Sequence, residues 1–329
     1  MPGVGKPFEF LAMLLITVNV FFLKNLSISR ELLLFFLIFA ISLTFSILII
    51  GFTKSNAAIF IGMLSLLVLY NVNIGFRDIL SILYLLIGLQ YIDAASFYIL
   101  DLDISFFPTP PFLEPRNYDN VTGFFRPVGV FSESNAFATT ILFLYLTLLT
   151  FREKVPNFVS ILVVSALFIS LSFFAFFTAI VISFYLIMRE SRFFFTLLIF
   201  ILSIAFYLFS DFFISDVFLY RIEHFYEDPS FVARLGLDNG GFKLHNFFPS
   251  GFSTVVSGVF FGSNAFSFII FAFGFLSLFI FYIFYLIYPK FAFALLMISF
   301  ISFQMLTTLL FWLLVSVAFR NYSIKKTKL

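Results

Sequence analysis

Apolar runs recur along nearly the whole chain, separated mostly by a few residues at a time, and they restrict its fold more than any motif does. They lie at 8–23, 31–52, 57–74, 78–100, 134–151, 157–170, 173–188, 193–210, 263–288 and 291–319. An α-helix rises about 1.5 Å per residue, so roughly 20 apolar residues cross a hydrocarbon core about 30 Å thick. Charged residues make up only 11% of the 329, against about 25% in a soluble domain, too few to cover a soluble globule of this size. The expected fold class is therefore all-α: a single polytopic transmembrane helical bundle over residues 1–329, with about ten to eleven spans. The first run has no A-x-A-like cleavage site and reads as a retained span. With no cysteine in the chain, disulfides and thiol chemistry are excluded.

Two interruptions exceed the others, at 101–133 and 211–262, and they hold most of the acids, prolines and glycines. Lysine and arginine in short loops favour the cytoplasmic side. If both long loops face outward and the chain alternates, Lys24, Arg30, Arg77, Arg152, Lys154, Arg189, Arg192 and Lys290 fall inside, leaving Lys6 and Lys54 outside apart from the long loops' own cations. This bias makes 101–133 and 211–262 external loops. It also requires 157–188 to cross twice: as one helix its 32 residues would measure about 48 Å. A break is expected near Ser170–Ser172. The same bias favours a break of 291–319 near Gln304, which brings Arg320, Lys325, Lys326 and Lys328 inside.

The first outer loop ends in "FFRPVGVFSESNAFATT". Pro127 and Gly129 bend the backbone and stop the next helix from extending backward. Ser132 and Ser134 are candidate caps for a helix beginning near Asn135, whose free N–H groups and positive dipole end suit an anion. Arg126 and Glu133 sit at that junction. Arg126 could simply snorkel there, but Arg126, Gly129, Phe131, Glu133 and Asn135 form a constellation and not a lone charge.

In the second loop Arg221 and His224 would share a helix face. Asp228-Pro229-Ser230 reads as a helix stop and a cap, with Arg234 in the next helix's first turns. Asp211, Asp216, Glu223, Glu227, Asp228 and Asp238 outnumber Arg221, Arg234 and Lys243. The first loop is acidic too, so no generic basic surface for nucleic acid exists. His245 fits either a solvated loop or a functional role, and Asn264 either an N-cap or a catalytic group. Asp93 lies within an apolar run, where an ionisable group defaults to a functional or paired role, or at its interfacial end. Gly240-Gly241 lacks a nucleotide-binding context. Two histidines 21 residues apart make no metal site, and no metal or other cofactor is expected.

These motifs carry a resemblance. An arginine followed by Gly-x-Phe and Glu-Ser-Asn at the opening of a span resembles the motif of the O-antigen polymerase and ligase superfamily, with Ser134 where that family often has proline. Phe248-Pro-Ser-Gly251-Phe is similar to its "P-x-G-F/Y-G" stretch. "GSNAF", with Asn264, resembles the family's His-Asn pair, Ser263 standing where the ligases carry histidine. The resemblance implies polymerisation of undecaprenyl-pyrophosphate-linked oligosaccharide repeat units into O-antigen or a related surface polysaccharide, on the periplasmic face of the bacterial inner membrane. Its partners would be the lipid-linked glycan donor and acceptor, membrane lipid and a chain-length regulator protein. Arg126, Arg221 and Arg234 would hold the pyrophosphate. Glu133, His224 and His245 are the candidate bases for the acceptor hydroxyl, Glu133 being favoured for its place beside Arg126. An O-antigen ligase, or a transporter or flippase, is the alternative; the latter would carry charged residues inside several spans.

Overall fold

The computed structural model describes residues 15, 16, 18, 28–102, 125–127, 129, 131, 134–189, 255, 256, 259, 260, 269, 270, 272–302 and 309–326. Among these the chain is predominantly helical. In order come α1 (Arg30–Ile50), α2 (Lys54–Asn71), α3 (Phe76–Tyr98), α4 (Ser134–Leu148), α5 (Asn157–Ile169) and α6 (Phe173–Arg189). A minimal antiparallel ladder follows, β1 (Val255–Val256) against β2 (Val259–Phe260), with Val255 opposite Phe260. A 3-10 turn (Gly274–Leu276) then leads into α7 (Ser277–Ile287), α8 (Lys290–Ser302) and α9 (Leu309–Lys326). Two helices, α1 over Arg30–Ile49 and α3, are long and apolar enough to cross a membrane by length and composition; the other apolar helices are shorter.

Local chemistry sets several of these ends. Ser29 caps α1 by accepting the Leu32 N–H at 3.2 Å, and Thr53 caps α2 by accepting that of Asn56 at 3.2 Å. Such side-chain acceptors satisfy amides that no helical carbonyl can reach. The apolar stretch 157–188 is divided at Ser170–Ser172, where Leu171 takes a positive φ of 49° and turns the chain; α5 and α6 then pack closely on each other. The stretch 291–319 is likewise shared between two helices, α8 and α9.

The chain divides into two compact units, 1–75 with 149–152 and 229–329, and 76–148 with 153–228. In the first, α2 packs along α9 and α1 against α7. Its core is aromatic: Phe39 lies 4.5 Å from Phe35, 4.5 Å from Phe273 and 5.5 Å from Trp312 between ring centroids. Side chains of the last turns of α9 reach three other places in the chain. Arg320 bonds the Val72 carbonyl and Asn73, Asn321 bonds Thr150, and Lys325 donates to the Thr150 carbonyl at 2.8 Å. Arg152 returns a bond to the Ile324 carbonyl, and Lys326 pairs with Glu31 at 2.7 Å. Burial and the neighbouring Arg152 push the Lys325 ammonium below its ordinary value. Arg320, Lys325 and Lys326 therefore gather at the end of the unit where Arg30 and Arg152 lie; Gln304, where a break is expected, lies outside the described residues.

Outward faces are apolar as well. Leu33, Leu37, Ile41, Phe45 and Leu48 of α1 are exposed, as are Phe177 and Phe184 of α6 and Leu278 and Tyr282 of α7.

Candidate functional site

In the second unit α3, α4, α5 and α6 pack together. The buried stripe of α3 runs Phe76, Ile79, Leu83, Ile87, Gln90, Asp93, Ser96. Its spacing of three and four keeps one face inward, and its chemistry changes from apolar to polar at Gln90. Buried polar groups are costly unless hydrogen-bonded, and the partners of this polar end come from the sequence motif.

Phe125, Pro127 and Gly129 lie against it. Phe125 stacks on Phe97 with centroids 4.0 Å apart and planes 16° from parallel, and its carbonyl accepts the Tyr98 hydroxyl at 2.7 Å. The Pro127 carbonyl accepts Gln90 Nε2 at 3.2 Å. The Gly129 N–H donates to Asp93 Oδ2 at 3.0 Å. Gly129 has a φ of 59°, and a Cβ there would come within 3.2 Å of the Gln90 backbone nitrogen. Only glycine allows both the left-handed backbone and this approach.

Buried Phe125, Pro127 and Gly129 alternate with half-buried Arg126, whose Nε is out of contact with solvent. Phe131 meets Phe137 edge-to-face at 5.7 Å and seats the chain where it enters α4. α4 begins at Ser134, which is buried. Arg126 precedes by eight residues the helix N-terminus at Ser134, and free N–H groups and the helix dipole favour negative charge at such an end. Further polar contacts tie α3, α4 and α5: Gln90 Nε2 to the Ala166 carbonyl at 2.9 Å, Tyr91 to Ser165 at 2.5 Å and Tyr145 to Ser160 at 2.9 Å.

Of the residues singled out in the sequence, the structure brings Arg126 and Gly129 together on the end of α3. The backbone of Asn135 lies in the first turn of α4. Glu133, Arg221, His224, Arg234, His245, Gly251 and Asn264 lie outside the described residues, as does most of 211–262. Asp93 turns out to be the partner of the Gly129 amide. Gln90 went unremarked in the sequence, although its place three residues before Asp93 puts the two on one helix face. Among the described residues no group of three histidines and acids comes together as a metal site. Searched against known proteins, the chain matches no family model, no curated protein and no solved structure.

Proposed function

We propose that this chain is a polytopic inner-membrane glycosyltransferase. It would join undecaprenyl-pyrophosphate-linked oligosaccharide units into a surface polysaccharide, with 101–133 and 211–262 facing the periplasm. The membrane reading draws on large apolar side chains facing outward from α1, α6 and α7, which a soluble surface would not gather in such number. One observation supports the catalytic reading: Arg126 is carried by a turn fixed to the buried polar end of α3, eight residues before α4 begins. Guanidinium and helix dipole there suit the same ligand, an oxyanion, and the superfamily resemblance supplies its identity as a lipid diphosphate.

In the reaction, the anomeric C–O bond to the donor's pyrophosphate breaks and the carrier diphosphate leaves with the electron pair. The acceptor sugar's hydroxyl oxygen forms the new glycosidic bond and loses its proton to a base. Arg126, with Arg221 and Arg234 from the second loop, stabilises the departing charge. Glu133, His224 and His245 are the candidate bases, and a Glu133 held beside Arg126 would have its basicity lowered.

The test is Arg126→Ala in the native host, with surface polysaccharide resolved on a gel. Long-chain glycan should vanish while the protein level in the membrane is unchanged; a ladder of normal length would refute the role. In a deletion strain, a single repeat on lipid A indicates a polymerase. Carrier-bound polymer that never reaches lipid A indicates a ligase instead.

A further inference from the structure

Asp93 is 1% exposed and Gln90 fully buried, and neither has a part in the chemistry above. A carboxylate removed from water is stable only where specific donors hold it. Here one such donor is the backbone of the motif itself, the Gly129 N–H on Oδ2. Gln90 Nε2 is shared by the carbonyls of Pro127 and Ala166, so its two bonds fix which way the amide points. Tyr98 takes the Phe125 carbonyl. Three side chains of α3 therefore hold backbone groups on both sides of Arg126. The Gly129 turn, at a positive φ of 59°, lies so close to the helix that a methyl group would strain the backbone and press on the Gln90 backbone nitrogen at 3.2 Å.

The geometry points to Asp93 and Gln90 as positioning residues: they fasten the turn that presents Arg126, so its guanidinium is in place before a lipid diphosphate arrives. This rests on the reading of Arg126 given above. A binding group held beforehand loses less freedom on binding. A loosened turn should therefore weaken the diphosphate complex without unfolding the four helices. Asp93 acts as a hydrogen-bond acceptor, a role asparagine can fill and alanine cannot.

The experiment uses the full chain in detergent, with two readouts: hydrogen–deuterium exchange of peptides covering 125–131, and affinity for undecaprenyl diphosphate. Asp93→Ala should speed exchange in 125–131, leave α4 and α5 protected, and weaken the lipid about ten-fold or more. Asp93→Asn should restore both. Gly129→Ala, which pushes the turn off α3 from its other side, should reproduce Asp93→Ala should that protein fail to accumulate. Unchanged exchange in Asp93→Ala or Gly129→Ala overturns the proposal, and so does faster exchange with wild-type affinity. Arg126→Ala separates the two claims. If it binds the lipid as tightly as wild type, the proposed function fails, while the exchange comparison still decides whether Asp93 holds the turn.

Discussion

Replacing Gly62 by alanine sets a methyl group into the indole of Trp312. A Cβ at Gly62 would overlap Nε1, Cε2 and Cδ1 of that ring. A flexible side chain could swing aside, but Trp312 is fully buried and set edge-to-face against Phe39 at 5.5 Å and Phe311 at 5.3 Å. Overpacking of this kind costs about 1–3 kcal/mol, and disturbing an aromatic pair adds roughly 0.5–1.5 kcal/mol. Alanine's helix preference over glycine returns about 1 kcal/mol. The net expectation is a loss of roughly 2 kcal/mol. Gly88 in α3 is the control: nothing lies within 4 Å of its Cβ position, so Gly88→Ala should leave stability unchanged or raise it by up to about 1 kcal/mol. Because Trp312 is the chain's 1 tryptophan, its emission reports this contact alone, and thermal unfolding in detergent by circular dichroism gives the stability. Trp312→Phe should rescue Gly62→Ala, with a coupling of at least about 1 kcal/mol. A Gly62→Ala protein as stable as wild type, with unchanged emission, would refute the close approach of α2 and α9.

Asn56→Ala removes a fully buried amide that accepts from Ser46 Oγ at 2.8 Å and donates to the Gly51 carbonyl at 2.9 Å. Thermal unfolding should show a loss of about 1–3 kcal/mol. Glu31→Gln should have only a slight effect that about 1 M salt weakens, since the Lys326 end of the pair is exposed. The Glu31 hydrogen bond holds Lys326 above its ordinary value. The pair's contribution is therefore complete below the ordinary lysine range and fades as pH rises through the raised value; a stability difference that grew with alkalinity would contradict it. If arginines alone stabilise the departing diphosphate, EDTA should leave polymerisation in a purified system unaffected.

The helices were legible because their cause is local. Apolar length and flanking charge gave 31–52, 78–100 and 157–170 closely, against observed Arg30–Ile50, Phe76–Tyr98 and Asn157–Ile169. The break near Ser170–Ser172 followed from a stretch too long for one crossing. Half of the site was legible for a similar reason: Pro127 and Gly129 announce a bend whatever surrounds them. Gln90 was not, because its partners lie 37 and 76 residues away and no spacing rule links them. Asp93 stands out in the sequence as an acid in an apolar run, but only the fold shows what it holds. Nothing in the sequence joins Gly62 to Trp312, since each sits in an apolar stretch of its helix.

The reach of Gln90 has a consequence for biogenesis. On the membrane-spanning reading, α3 leaves the ribosome and enters the bilayer well before its partners exist. The Gly129 amide follows Asp93 by 36 residues and the Ala166 carbonyl follows Gln90 by 76. At about 5–20 residues per second of synthesis, the helix waits on the order of 2–15 s with a carboxyl and an amide still uncompensated. Such groups resist transfer into lipid. Nascent α3 should therefore linger at the insertion machinery, or beside a membrane chaperone, until α5 arrives to release it.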